Sequence, residues 1–262
     1  MSTLSSLPAM RSYSYWLQVY KRTWRGTVIT SVVSPVMYLA AMGVGLGSLV
    51  KGGQGTGGLS YLQFVAPGLL AATAMQIGSA EATYPVLGGF KWIRNYHAAA
   101  VTPLSPGAIL AGHLMWIATR GAMASGIYLA IVAAFGGLRT SLAILALPVC
   151  VLVALAFAAP VAAYAATREM DNGFAALQRF GIVPMFLFSG TFFSVTQLPW
   201  AIRPIAYITP LWHGVQLTRD LTTGQLESGG AWLVPVHVGY LLALTALGVF
   251  LALKYFRRRL TV

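Results

Sequence analysis

The chain has 262 residues, of which 57% are hydrophobic and 8% are charged, whereas soluble domains contain about 25% charged residues. So little polar surface excludes a water-soluble globular protein and indicates an integral membrane protein. The net charge of +12 is spread between long apolar runs rather than gathered on one polar face, which argues against nucleic acid as a partner. The single cysteine, Cys150, excludes an intrachain disulfide and a cysteine-based metal site.

The first predicted element is an amphipathic helix over residues 8–26. Aromatic and apolar side chains recur there with the period of one helix face, and basic side chains occupy the other face. The apolar face consists of Tyr13, Trp16, Leu17, Tyr20 and Trp24. We predict an interfacial helix in contact with membrane lipid, which is either a passive anchor or an element that transmits motion from a cytoplasmic partner.

Six segments are long and apolar enough, or nearly so, to cross the hydrocarbon core as helices. The predicted spans are 27–50, 61–84, 107–135, 142–166, 180–195 and 232–255. The first two are joined by a Gly-rich outer loop. The sequence therefore predicts an all-α integral membrane protein with six transmembrane helices, and we expect residues 1–262 to form a single transmembrane domain because no stretch outside lipid is long enough for a separate core.

The fifth predicted span, 180–195, is short and contains Pro184. The apolar pattern resumes in 197–224, where further prolines interrupt it. These prolines are Pro199, Pro204 and Pro210. We predict a broken, re-entrant region on the outer side, including a helix that begins at Pro210 and ends at Gly224. The alternative is a tilted fifth helix followed by an ordinary amphipathic loop.

The distribution of the basic residues predicts the orientation of the chain. Twelve of the 17 Lys and Arg residues flank one side of the predicted spans, and four flank the other side. The four are Lys51, Arg139, Arg203 and Arg219, and Arg120 falls within the third span. We therefore expect both termini in the cytoplasm.

Three ionisable residues lie within or beside the predicted spans, where each is costly unless it is paired or hydrated. His113 and Arg120 are seven residues apart and share one helix face, and Glu81 is the only acidic residue in the first four spans that can offset Arg120. We hypothesise an ion pair between Glu81 and Arg120. It is either a structural pair or a polar element that shifts during transport.

Sequence motifs for catalysis are absent. No lysine belongs to a G-x-x-x-x-G-K-[ST] phosphate loop, the chain has neither H-E-x-x-H nor G-x-S-x-G, and its four histidines are far apart. We therefore expect no catalytic residue, no metal site and no cofactor on this chain. A membrane-embedded transferase or hydrolase stays open as an alternative, since spacing alone does not reveal every catalytic arrangement.

Three motifs carry a resemblance to a known family. The first leads from Arg94-Asn95-Tyr96 to Thr102-Pro103-Leu104-Ser105; the second is the stretch Phe186-Leu187-Phe188-Ser189-Gly190-Thr191-Phe192-Phe193 before Leu198-Pro199; the third is the spacing from Pro210-Leu211 through Arg219-Asp220-Leu221 to Gly224. In this order, and with six spans, they make the chain resemble the membrane subunit of an ABC-2 type exporter. The likeness is greatest to the nodulation-factor and lipo-oligosaccharide permeases, and daunorubicin-type drug exporters share the same layout.

The resemblance implies a permease subunit of the bacterial inner membrane that exports a lipid-linked saccharide or an amphipathic drug. A separate ABC ATPase subunit, in two copies, would bind ATP and Mg²⁺, and a second permease subunit would complete a homodimer. An ATP-independent transporter or channel is the alternative function.

The resemblance also implies that the cytoplasmic segment 88–105 contains a coupling helix that docks on the ATPase. The residues expected to make this contact are Lys91, Trp92, Arg94, Asn95, Tyr96 and His97. The alternative is a solvated cytoplasmic hairpin.

Aromatic and thioether side chains on the first, second and fifth spans suit the path of a large amphipathic molecule, because they offer adaptable apolar contacts. The candidate residues are Met37, Tyr38, Met75, Met185, Phe188, Phe192 and Phe193. The same residue types equally suit packing between helices.

Overall fold

A computed structural model of the chain describes residues 7–41, 58–225 and 230–261. These residues form eleven α-helices. They are α1 (Pro8–Ala40), α2 (Tyr61–Ala82), α3 (Tyr84–Phe90), α4 (Asn95–Ala100), α5 (Pro106–Ala134), α6 (Ala146–Ala166), α7 (Asn172–Leu177), α8 (Val183–Phe188), α9 (Arg203–Ile208), α10 (Pro210–Thr223) and α11 (Leu233–Leu260). Short 3-10 turns precede α6 and α9, and a π-helical turn, Gln178–Ile182, joins α7 to α8.

Three helices in the described part of the chain are long and apolar enough to cross a membrane. They are Pro106–Ala134, Ser141–Ala166 and Leu233–Leu260, which correspond to the third, fourth and sixth predicted spans. The prediction of an all-helical membrane protein is confirmed. The count of six spans stays a prediction, since α2 is not one of these three helices and residues 42–50 of the first span, like most of the Gly-rich loop, lie outside the described residues.

The first helix differs from the prediction of an interfacial segment followed by a separate span. Residues 8–40 form one continuous helix, since the only glycine near the predicted boundary is Gly26, which weakens a helix without ending it. The aromatic face of α1 packs along α5 instead of lying free at the interface. Trp16 contacts the ring of His113 at 4.3 Å between centroids, and a side chain at Gly112 would collide with Ser12.

Helix α6 lies at the centre of the bundle and packs against α2, α5, α10 and α11. Two glycines bring helices into backbone contact with it. A Cβ atom at Gly78 would lie 2.1 Å from the carbonyl oxygen of Ala154, and one at Gly248 would lie 2.5 Å from Pro160. Small residues of this kind let membrane helices approach closely and gain dispersion energy.

The two ends of the bundle differ in charge. One end, which we name the basic end, is formed by residues 88–105, 166–171 and 257–261, and it contains basic residues from α11 and from the turns after α3 and α6. The opposite end is formed by the first turns of α2, α6 and α11, with α10 packed among them.

The fifth predicted span is the continuous helical run α7, π turn and α8, which begins at Asn172 and ends at Phe188 rather than at residue 195. Pro184 lacks a backbone N–H, and the π turn immediately before it accommodates the missing hydrogen bond. The chain then continues in the short pieces Val195–Gln197, α9 and α10.

Helix α10 begins at Pro210 and is followed by Gly224 in the left-handed conformation, with φ of 71°. It is a buried helix, since Leu211 and Val215 are fully buried against α2 and α6. The predicted re-entrant position of this region in the membrane stays a prediction. The guanidinium of Arg219 donates hydrogen bonds to the carbonyl oxygens of Gly190 (2.7 Å) and Phe64 (3.3 Å). These bonds satisfy backbone groups that lipid would leave unpaired.

Candidate functional site

The predicted coupling segment is a short helix held between two tight turns. Helix α3 ends at Phe90, and Arg94 then takes a left-handed conformation with φ of 56°, the only positive φ of a non-glycine residue in the described ranges. Helix α4 follows and ends where the Thr102 hydroxyl donates to the carbonyl oxygen of Ala99 (2.6 Å). The Ser105 hydroxyl then caps the first turn of α5.

The outward surface of this segment is apolar and basic. Trp92 is 61% exposed, Ile93 is 66% exposed and Val101 is 88% exposed, and Arg94 and His97 are exposed beside them. We name these five residues the coupling face. Large apolar side chains that protrude from a basic surface are typical of a docking site for another protein.

Tyr96 corrects the expectation that all six predicted contact residues face the ATPase. It is 1% exposed, and its ring packs at 5.0 Å from that of Phe90 and 5.3 Å from that of Phe256. Tyr96 is the buried residue of this six-residue helix, because its side chain is directed at α3, α5 and α11. Lys91 and Asn95 are partly buried, so only Trp92, Arg94 and His97 of the predicted set are exposed.

A hydrogen-bonded chain connects Tyr96 to the end of α2. His113 Nε2 lies 3.0 Å from the carbonyl oxygen of Glu81, and its Nδ1 lies 2.5 Å from the Tyr96 hydroxyl. Because a carbonyl oxygen only accepts, Nε2 must carry the hydrogen and Nδ1 must accept one from Tyr96. Burial raises the pKa of Tyr96 well above its usual value, which keeps the hydroxyl protonated as a donor. The coupling helix is thereby bonded to α5 and, through α5, to α2.

The side chain of Glu81 forms the ion pair hypothesised from the sequence. Its Oε1 accepts from Arg120 Nε at 3.2 Å, and its Oε2 accepts from Trp116 Nε1 at 3.2 Å. The Arg120 guanidinium also lies over the ring of Tyr20 on α1. One carboxylate therefore links α1, α2 and α5, close to the carbonyl group that His113 contacts.

A second attachment of the coupling segment involves residues that sequence reasoning missed. Glu169, in the turn after α6, forms ion pairs with Lys91 and with Arg259 at the end of α11. Arg259 also donates to the carbonyl oxygens of Ala166 (3.0 Å) and Arg168 (2.9 Å). The only signal in the sequence is that Glu169 is one of five acidic residues and lies in a basic region.

Residues 13–222 match the sequence profile of the family described as "ABC-2 type transporter". The chain belongs to this family. The ABC-2 resemblance drawn from the three motifs is thus confirmed.

Curated relatives of this ABC-2 chain cover most of its length. It is 34% identical over 253 residues to "Nodulation protein J" of Rhizobium leguminosarum bv. viciae, which covers 94% of this chain and 95% of the relative. It is 32% identical to "Nodulation protein J" of Rhizobium meliloti (strain 1021), with 94% of each chain covered. It is 23% identical over 192 residues to the "Inner membrane transport permease YadH" of Escherichia coli (strain K12), with 73% of each chain covered. The ABC-2 chain is therefore a multi-pass bacterial inner membrane protein that acts as a transport subunit rather than as an enzyme.

The candidate path residues of the ABC-2 chain lie in different environments. Met75 is fully buried in the core, because α2 turns this side chain towards the other helices, and a contact of Met75 with cargo stays a prediction that this burial does not support. Met37, Tyr38 and Phe188 are exposed on the outside of the chain. Phe192 lies 6.4 Å from Tyr38 between ring centroids, and Met185 and Phe193 are partly buried.

We expect Tyr96→Phe to lower the free energy of unfolding of the ABC-2 chain by about 1 kcal/mol, because it removes one buried hydrogen bond and leaves His113 Nδ1 without its donor. Packing against Phe90 and Phe256 is retained. Denaturant titration in detergent micelles measures the change. Tyr84→Phe, at a half-exposed position, is the control and should change stability by less than about 0.5 kcal/mol. Equal stability of the two variants would show that the bond to His113 contributes nothing.

Proposed function

We propose that this chain is the permease subunit of an ATP-driven exporter that moves a lipid-linked saccharide or an amphipathic drug outward across the inner membrane. A separate ABC ATPase, in two copies, would bind ATP and Mg²⁺ and supply the energy. Membership of the ABC-2 family supports this function, and so does the absence of a phosphate loop from the sequence.

The coupling face is the observation on which the proposal rests. Trp92, Ile93 and Val101 leave the greater part of their apolar surface exposed at the basic end. Exposed aromatic anchors beside an arginine are the side chains that contribute most to protein interfaces. The basic end is then the cytoplasmic end, in agreement with the excess of Lys and Arg on that side.

The rigid connections of the coupling helix suggest how docking drives transport. Movement of α4 by the ATPase would displace Tyr96, and with it His113 and the carbonyl group of Glu81. Thr83, two residues further on, separates α2 from α3 in a non-helical conformation, with φ of −90° and ψ of −94°. The force would therefore reach the chain at the joint between these helices, where it can change their relative direction.

The assembly and the number of spans belong to the same proposal. We infer six spans, both termini in the cytoplasm and a homodimer with the cargo path between the two copies. The exposed side chains of Met37, Tyr38 and Phe188 support this arrangement, since they leave large apolar surfaces that a second copy or the cargo could contact. The relatives named "Nodulation protein J" support the lipid-linked saccharide as cargo, because they belong to the branch that the motifs resemble.

The double variant Trp92→Ala/Arg94→Ala tests the proposed function. We expect ATP-dependent export in membrane vesicles to fall at least about tenfold, and co-purification with the ATPase to weaken, while the amount inserted in the membrane stays the same. Tyr96→Ala is a poorer test, since it would open a cavity in the core.

The matched control is Trp200→Ala/Arg139→Ala, which removes an exposed tryptophan and an exposed arginine from the opposite end. It should leave export and ATPase binding unchanged. ATP hydrolysis by the purified chain alone, or unchanged export by Trp92→Ala/Arg94→Ala, would contradict the proposal.

A further inference from the structure

A cavity of about 490 Å³ opens on the outside of the chain between the end of α2, the start of α3 and the π turn before α8. Its size is that of a pocket for a small molecule or a head group. Its polar and aromatic lining includes Gln76, Ser79, Thr83, Tyr84, Gln178 and Arg179. Neither the coupling face nor the candidate path includes any of these residues.

The hydroxyl group of Ser79 indicates that the cavity is built to hold a polar ligand. Ser79 is 3% exposed, and its hydroxyl oxygen has no hydrogen-bond partner among the described residues. A buried hydroxyl without a partner is unfavourable, so its retention beside a cavity points to a ligand that completes the bond.

Gln76 provides a second, independent indication. It lies in the apolar helix α2 on the surface that faces away from the core, and its side chain is exposed. A primary amide directed at lipid would lose its hydrogen bonds to water. Gln178 is exposed on the other side of the same cavity, so two amides, each a donor and an acceptor, face one space.

The remaining groups define the chemistry of the ligand. Arg179 is the only charged residue that lines the cavity, and its guanidinium suits a carboxylate, sulfate or phosphate. Tyr84 and Phe174 form an edge-to-face pair, with ring centroids 5.2 Å apart, at the cavity wall, and Tyr84 is half exposed. Hydroxyl, amide, aromatic and guanidinium groups together match a hydroxyl-rich ring that bears a negative charge.

We propose that this cavity binds the anionic saccharide head group of the cargo before transport. This inference rests on the proposed function, since it takes the cargo to be amphipathic, with its acyl chain in the lipid outside the opening. The cavity adjoins both irregular points of the helices, the joint at Thr83 and the π turn at Gln178–Ile182. π turns of this kind occur frequently at functional sites.

Binding of two defined glycolipids to the full chain in nanodiscs tests the inference. Sulfatide and galactosylceramide share the same lipid and sugar, and only sulfatide has a negative charge. We expect the chain to bind sulfatide about tenfold more tightly, because a hydrogen-bonded charge pair with Arg179 is formed only with the sulfate. Arg179→Gln should abolish this preference, and Ala80→Trp, which fills the cavity, should weaken binding of both lipids.

Arg257→Gln is the matched control, since Arg257 is exposed at the basic end outside the cavity. It should bind both lipids as the unmodified chain does, and thermal unfolding should show that all variants are folded. Equal affinity for the two lipids in the unmodified chain, or an unchanged preference in Arg179→Gln and Ala80→Trp, would overturn the inference.

The binding measurements need no ATPase, so a failure of the inference can be distinguished from a failure of the proposed function. Loss of glycolipid binding in variants that still respond to the ATPase would support the cavity and the permease function together. Failure of the coupling-face variants to affect export would contradict the permease function and leave the glycolipid measurements standing.

Discussion

Glu81→Gln is expected to lower the free energy of unfolding by about 2 kcal/mol, because it leaves the guanidinium of Arg120 without its counter-charge within a spanning helix. The side chains of Arg120 and Glu81 are 13% and 21% exposed, so the value is below that for a fully buried pair. Trp116 Nε1 can still donate to the amide oxygen of glutamine. Denaturant titration in detergent micelles measures the loss.

A double-mutant cycle separates the ion pair from other effects of the substitution. Glu81→Gln/Arg120→Gln should be more stable than the sum of the two single changes predicts, by about 1 kcal/mol, since neither charge is then left alone. Asp171→Asn is the control, because the carboxylate of Asp171 has no cationic partner in the part of the chain that the structure describes. Additive losses in the cycle would show that Glu81 and Arg120 do not stabilise each other.

Gly78→Ala is expected to destabilise the chain by about 3 kcal/mol, which is a large effect for one methyl group. The added Cβ atom would lie 2.1 Å from the carbonyl oxygen of Ala154, so α2 and α6 would have to move apart. Separation of these helices also disturbs the core around Met75 and Val153. The yield of folded protein after detergent extraction and its thermal unfolding temperature measure the effect.

Gly126→Ala, in the spanning helix α5, is the control and is not expected to lower stability. Its Cβ atom would lie 4.0 Å from Leu147, an ordinary contact distance. Alanine favours helix over glycine by up to about 1 kcal/mol, so this variant should be as stable as the unmodified chain or slightly more stable. Equal thermal unfolding temperatures for Gly78→Ala and Gly126→Ala would mean that α2 and α6 are not in close contact.

The apolar runs of the sequence predict the long helices well, because membrane helices need about 20 apolar residues whatever their neighbours are. The predicted spans 107–135, 142–166 and 232–255 lie within a few residues of the helices at those positions. The sequence predicts the start of α10 at Pro210 and its end before Gly224 equally well, since proline and glycine determine backbone conformation locally.

The burial of individual side chains could not be predicted, because it depends on which helix packs against which face. Tyr96 is adjacent in sequence to exposed residues, and its burial depends in part on the approach of Phe256 from α11, 160 positions away. Met75 is buried for the same kind of reason, since α6 covers its face of α2. The ion pairs of Glu169 likewise join three segments that are remote in the sequence.

Because Thr83 is not helical, α3 can rotate relative to α2 about this residue. With seven residues, α3 is about 10 Å long. A rotation of α3 by about ten degrees at Thr83 would therefore shift Phe90, at the other end of α3, by roughly 2 Å. Helix α2, on the other side of Thr83, is in close backbone contact with α6 at Gly78. In the proposed mechanism, a small displacement of Phe90 would rotate α3 about Thr83, beside the opening of the cavity that Thr83 and Tyr84 line.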